Sequence, residues 1–292
     1  MAPQGPWPVV RLIMLGTAQD GGVPHVGCTC RTCDGAREGT IPRRLASSAA
    51  VVDAGSGRAW LVDASPDLPV QLERVRDALG GPRRSGIPLS GVLLTHIHMG
   101  HYWGLGHLGR EGMMPRGLPV RGPPRTARFL HENRPFRDMV RMGALDVAPV
   151  RPGEDLVMGE GVTFRPVAVP HREDFSDTVA WLVEGPRWRV LYAPDMDYLG
   201  KPILDLVSRV DLAVIDGTFY TREEIPGSMD TVPHPPVVES MEALAPALEG
   251  GTRVAFTHLN HTNPLCDPRS PEFEDVVSRG FGVVLDGYAV DI

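Results

Sequence analysis

The segment Thr95-His96-Ile97-His98-Met99-Gly100-His101 places three imidazoles within six residues, directly after the apolar run 91–95 (GVLLT). Burying even one unpaired imidazole is costly, so three converging ones call for a cation, and neutral imidazole is a preferred ligand of zinc and similar ions. If strand geometry continues past residue 95, His96 and His98 point the same way and His101 enters from the following turn. Three more polar residues close apolar runs in the same manner: His171 after VTFRPVAVP, Asp195 after RVLYAP and His258 after RVAFT. Strand ends gathered on one sheet edge would bring all six groups together.

The rest of the pattern fits a mixed α/β fold. Strands are expected at 9–15, 91–95, 162–169, 178–184, 188–193, 211–216, 253–257 and 282–285, with a hairpin of 48–52 and 59–62 turning at Gly55-Ser56-Gly57. Helical spacing covers 66–79, with Pro66 at its start and Gly80 just past its end, then 125–142 broken at Pro135, 235–248 and 271–279. Residues 16–45 read as a long loop. Many short strands with amphipathic helices late in each half suggest two sheets packed face to face and covered by helices. No repeat or linker divides the chain, so residues 1–292 are expected to form one domain. The 29 prolines and 33 glycines fit long, shaped loops that carry binding residues.

Composition narrows the function classes. A net charge of −7 and no Lys/Arg run argue against a nucleic-acid groove, and the Arg-rich stretch 116–141 reads as a solvated helical surface. No window approaches 18 consecutive apolar residues, so no membrane span is expected, and residues 1–11 lack a signal-peptide pattern. A cytoplasmic location follows as an expectation. Three of the four cysteines, Cys28, Cys30 and Cys33, fall within six residues, a crowding that suggests metal binding more than disulfides. C-x-C-x-x-C wants a fourth ligand for a closed tetrahedral zinc site, and His261 and His25 compete for it, with His261 preferred. Asp63, at the end of the run 60–62, is a candidate hydrogen-bond partner for a ligand histidine. His107, His131 and His234 lack ligand spacing and read as surface or packed residues, Cys266 as a lone thiol, and Tyr102 and Trp103 as either pocket wall or core.

The order of these residues resembles the metallo-β-lactamase superfamily, whose metal motif is H-x-H-x-D-H followed by a distant His, an Asp and a last His. The resemblance runs from the first strand to Asn263 and implies a four-layer αββα sandwich. It implies one metal on His96, His98 and His171, a second on the motif Asp, His101 and His258, and Asp195 bridging them, with Asp195 and His258 in the catalytic machinery. It implies a water or hydroxide attacking an ester, amide or phosphodiester of a small molecule. It also implies zinc, with iron or manganese as alternatives at the active site, and an oligomer, commonly a homodimer. The opening G-T-A-Q-D-G-G-V-P, the cysteine cluster and the ending T-H-L-N-H-T-N-P are similar to the branch holding pyrroloquinoline quinone (PQQ) biosynthesis protein B and the phosphonate-pathway cyclic-phosphate phosphodiesterase. The resemblance to the phosphodiesterase implies a Cys3His zinc joining the first loop to the last.

One position departs from the motif. Gly100 stands where the family has Asp and supplies no ligand. The second site is then expected to bind weakly, to use another oxygen donor such as Asp20 or Asp197, or to stay empty. On that reading one metal is tight, and Gly100→Asp would raise occupancy of the second position if the backbone tolerates a side chain. Three functions compete: a metallohydrolase, a metal-dependent oxygenase step in cofactor maturation, and a non-catalytic metal-stabilised binding or carrier protein.

Overall fold

A computed structural model describes residues 10–80, 89–158, 161–173, 175–224 and 232–292; Val9, the expected start of the first strand, lies outside them. Strands β1 (Val10–Gly16), β2 (Ser48–Asp53), β3 (Arg58–Val62), β4 (Leu89–Leu93), β5 (Leu118–Gly122) and β6 (Leu145–Pro149) form one sheet with β14 (Ala289–Asp291), in the order β14-β1-β2-β3-β4-β5-β6. Strands β7 (Leu156–Val157), β8 (Thr163–Ala168), β9 (Val179–Glu184), β10 (Arg189–Ala193), β11 (Leu212–Asp216), β12 (Arg253–Thr257) and β13 (Gly282–Val283) form the second, in the order β13-β12-β11-β10-β9-β8-β7.

The alternation of side chains along each strand builds the layers. Leu12 and Met14 of β1, Val51 of β2 and Trp60 of β3 point inward against Trp181, Tyr192 and Val214 of the other sheet, forming a core between the sheets. Their neighbours Ile13, Leu15, Val52 and Leu61 point outward under α2 (Leu68–Leu79), α4 (Pro124–Glu132) and α5 (Phe136–Arg141). On the second sheet, Leu182, Leu191 and Ile215 point outward under α6 (Lys201–Val207), α7 (Val237–Glu249) and α8 (Pro271–Ser278). The result is the helix–sheet–sheet–helix sandwich expected of the metallo-β-lactamase fold.

Sequence patterning located most of these elements and misjudged others. The span 16–45 is not all loop: α1 (Arg31–Glu38) starts behind Cys30 and ends at Gly39, which takes the left-handed conformation (φ 78°) that glycine adopts without strain. The strand expected to reach residue 95 ends at Leu93, so His96 and His98 are not aligned by strand pleat, and His98 precedes the short helix α3 (Met99–Tyr102). No helix among the described residues is long and apolar enough to cross a membrane.

Candidate metal centre

Strand direction gathers the site. Strands β1 and β3 both run antiparallel to β2, and β4 runs parallel to β3. In the other sheet β8 and β10 both run antiparallel to β9, while β11 and β12 run parallel to β10. Asp20, Asp63 and His96 therefore follow C-terminal strand ends of one sheet, and His171, Asp195 and His258 follow those of the other.

Three donor groups form there, the third being Asp195, Asp216, His234 and His258. In the first, Asp195 Oδ2 lies 3.2 Å from His96 Nε2, 3.2 Å from His171 Nε2 and 3.8 Å from His98 Nδ1, and His171 Nε2 lies 3.0 Å from His98 Nδ1. In the second, His101 Nε2 lies 3.3 Å from His258 Nε2, and both nitrogens lie within 3.8 Å of Asp195 Oδ2. A tetrahedral ion with metal–nitrogen bonds near ~2.1 Å sets its ligands ~3.4 Å apart, so these spacings suit ligands around a common ion. His96 Nε2 and Asp195 Oδ1 are buried without a hydrogen-bond partner, which is expensive unless something else engages them.

Hydrogen bonds on the far side of each ring set its tautomer. Thr218 Oγ1 donates its one proton to Asp216 Oδ1 (2.7 Å), so at 2.8 Å it accepts from His258 Nδ1, leaving Nε2 with its lone pair. Thr95 Oγ1 is likewise committed to Asp63 and accepts from His96 Nδ1 (2.9 Å). Asp63 Oδ2 accepts from His101 Nδ1 at 2.7 Å, and Asp197 Oδ1 accepts from His171 Nδ1 at 2.9 Å. Asp63 therefore takes the supporting position proposed for it, whereas Asp197 holds a ring and is not a donor for the second group. Asp63 and His258 both have positive φ, 64° and 62°, strained for residues with a Cβ and of the kind that clusters at functional sites. Asp63→Asn should weaken metal binding at His101 by ~10–100-fold, measured by competitive chelation, with little change in fold.

Charge in the site is strongly organised. Burial works to raise the Asp195 carboxyl, but His171 and His258 hold it well below the usual carboxylate range, so it is anionic. Burial pushes His96 well below the ordinary imidazole value and His258 down to about 4, keeping both neutral as ligands must be. Burial also opposes charge on His101, yet Asp63, Asp20 and Asp195 carry it up to about 9.

A carboxylate from another loop stands beside position 100. Asp20 Oδ1 lies 3.8 Å from His101 Nε2 and accepts the Gly100 N–H at 2.9 Å. A Cβ on Gly100 would sit 2.1 Å from that oxygen and 2.6 Å from the Asp20 Cα. The condition attached to Gly100→Asp, a backbone that tolerates a side chain there, is therefore not met unless Asp20 shifts.

Asp20, His98, Met99, His171, Arg172, Phe175, Asp195 and His234 line an open cleft of about 330 Å³ above the donors. Met99 and Phe175 form its exposed apolar walls, with Phe175 stacked on His98 at 5.3 Å. Tyr102 instead packs in the core against Phe129 and Phe136, and neither it nor Trp103 lines the cleft. His234 is not a remote packed residue. It is buried beside Asp195 Oδ1 (3.5 Å), with Nδ1 donating to Asp216 at 2.8 Å. His107 and His131 are exposed and belong to none of these donor groups.

The cysteine loop folds against the loop after β12. His261 Nδ1 lies 3.5 Å from both Cys28 Sγ and Cys30 Sγ, and the Cys33 thiol completes a group whose donor atoms all fall within 4.8 Å of one another. For a zinc-bound sulfur and nitrogen the expected separation is ~3.6 Å. His25 stays outside the group, stacked on the His261 ring at 4.7 Å, with its backbone N–H donating to Cys33 Sγ. Cys266 is buried separately, its thiol on the Asn260 carbonyl.

Comparison with known proteins gives a consistent placement. The model of the Beta-lactamase superfamily domain matches residues 58–259, a stretch that excludes Asp20 and the cysteine group. Coenzyme PQQ synthesis protein B of Azotobacter vinelandii is 28% identical over 307 residues, covering 96% of this chain and 99% of that protein. The protein of the same name from Acinetobacter baumannii is 25% identical, covering 97% and 100%. Among solved structures, Zn(2+)-bound PqqB from Methylobacterium extorquens is similar with a TM-score of 0.79 at 23% identity, covering 97% of this chain and all of that one. A diphosphatase from the PhnP family has a TM-score of 0.70 at 20% identity, covering 96% of each chain. Both structural likenesses speak to the fold.

Proposed function

Because the chain belongs to the metallo-β-lactamase superfamily, we propose that it is a metal-dependent hydrolase, with activated water attacking a phosphodiester or another small ester. The observation that carries this reading is the meeting of His96 Nε2, His98 Nδ1, His171 Nε2 and Asp195 Oδ2 at the floor of an open cleft. Zinc or a similar divalent ion held there supplies Lewis acidity and lowers the pKa of a coordinated water towards ~7. The chain's own part is to fix the donors. Asp195 contributes the negative oxygen shared by the first two groups, and Asp63, Thr95, Thr218 and Asp197 lock the rings in the ligand tautomer.

The walls suit a substrate with an anionic centre and an apolar portion. Arg172 lines the cleft together with Met99 and Phe175, and a guanidinium is a group matched to phosphate or carboxylate. His234, held by Asp216 through Nδ1, faces the cleft and is positioned to move a proton on the leaving group. Its replacement by alanine should lower kcat by ~10²-fold or more while the metal content stays at the wild-type level. Loss of metal in step with activity would make His234 part of the metal-holding set instead.

A second reading is favoured by the relatives named for coenzyme PQQ synthesis: a step in cofactor maturation, with iron in place of zinc. His and carboxylate donors serve both metals. The test is anaerobic purification, metal quantification and reconstitution with zinc, manganese or iron, followed by assays of bis(4-nitrophenyl) phosphate, cyclic phosphates, lactones and thioesters beside oxygen uptake. Hydrolysis that depends on the added metal, without oxygen uptake, supports the hydrolase. Oxygen uptake by the iron form without hydrolysis supports the second reading.

A further inference from the structure

We propose that Asp20 is the carboxylate ligand of the second metal position, and that Gly100 is the residue that makes room for it. The inference rests on the metal-centre reading above but not on any substrate. In effect the carboxylate has moved from the helix after β4 to the loop after β1.

The geometry is specific to this pair. Asp20 Oδ1, His101 Nε2 and His258 Nε2 form a group of donors within 4.8 Å of one another. The Asp20 carboxylate occupies the space into which a side chain at position 100 would project, since an added Cβ would meet Asp20 Oδ1, Cγ and Cα at 2.1, 2.9 and 2.6 Å. The last of these is backbone, so rotating the Asp20 side chain away would not relieve the overlap. A carboxylate can come from 20 or from 100, not from both.

The other nearby carboxylates are committed. Asp63 receives Thr95 and His101 Nδ1, Asp197 receives His171 Nδ1 and the Arg172 N–H, and Asp216 receives Met196 N–H, Thr218 and His234. Asp20 is partly exposed to the cleft, and its known bond to the Gly100 N–H uses one lone pair and orients the rest. Its loop is also held in register with the His258 loop. Leu259 N–H donates to the Thr17 carbonyl (2.9 Å) and Gln19 N–H to the Leu259 carbonyl (3.0 Å). The two loops that would share the metal are thus tied together through Gln19, adjacent to Asp20, and Leu259, adjacent to His258.

The rival explanation is that Asp20 only satisfies the Gly100 N–H. Asp20→Asn separates the two, because its amide oxygen still accepts that hydrogen bond but offers no charge. The full-length protein would be stripped of active-site metal, titrated with Zn²⁺ and Co²⁺, and followed by equilibrium metal counting and the cobalt absorption spectrum. The wild type should take up two equivalents beyond the cysteine-bound zinc. Asp20→Asn should keep one and bind the second more than ~100-fold more weakly, since loss of even an outer hydrogen-bond partner costs 10–100-fold. Gly100→Asp alone should also lose the second equivalent, since its Cβ would overlap Asp20. Two equivalents with unchanged affinity in Asp20→Asn would overturn the assignment even if Gly100→Asp failed to fold. A wild type taking up no metal beyond the cysteine site would instead overturn the metal-centre reading itself.

Discussion

Alanine in place of His98 is expected to empty the first metal position and to lower turnover by roughly 10⁴-fold or more. His98 Nδ1 stands 3.0 Å from His171 Nε2 and 3.8 Å from Asp195 Oδ2, so its loss leaves the first group with two nitrogens and one shared oxygen. The water pKa in the absence of a metal is 15.7 against ~7 on a bound one, a gap that the lower reactivity of the bound species offsets only in part. The fold should survive. His98 is partly exposed at the cleft and packs against Phe175 and the neighbouring rings, so unfolding free energy should change by less than ~1 kcal/mol, as at sites away from core packing. Metal content, steady-state rate and circular dichroism on one preparation decide it. A variant that keeps both its metal and its turnover would remove His98 from the centre.

Cys30→Ser is expected to have the largest effect on stability. The thiol stands at the start of α1, and its group joins the loop of residues 25–33 to His261, more than two hundred residues away. Structural zinc contributes folding free energy directly, ~10 kcal/mol or more in small peptides, and a domain with its own core should lose several kcal/mol of that order-of-magnitude figure. The loss should spread. The same two loops carry Asp20 and His258, so Cys30→Ser should also weaken the second active-site equivalent while the first, built from other strand ends, persists. Zinc counting with urea unfolding tests this. One zinc per chain should survive mild chelation in the wild type and vanish in the variant. His261→Ala should release it as well. Retention of that zinc in His261→Ala would pass the fourth position to His25, and a normally folded triple cysteine variant with unchanged zinc would refute the site.

What could be read from the sequence was whatever local pattern encodes. Polar residues closing apolar runs located His96, His171, Asp195 and His258, because strand termini in such a sandwich share an edge. The spacing of Cys28, Cys30 and Cys33 carried its own chemistry. Strands β5 and β6 were not legible: LPVRG and LDVAP mix Pro and charge into five residues and become strands through parallel pairing with each other and, for β5, with β4. β14 is three residues long and exists by pairing with β1 from the far end of the chain. Asp20 sits among glycines with no periodicity; the missing carboxylate at Gly100 made it a candidate beside Asp197, and only the structure separates the two, with Asp197 on His171 and Asp20 beside His101. His234 follows no strand. Its place depends on Asp216, whose own position at a strand end was the one signal that could have pointed to it.

The account's central claim is that the His/Asp cluster holds two metal ions that activate water for hydrolysis. The most direct measurement titrates metal into the stripped protein and records bound equivalents and phosphodiester or ester hydrolysis on the same samples. The account predicts that hydrolysis is absent with only the cysteine site filled and rises as up to two further equivalents bind. It would be contradicted by turnover that is the same before and after those equivalents are bound, or by a cluster that binds none.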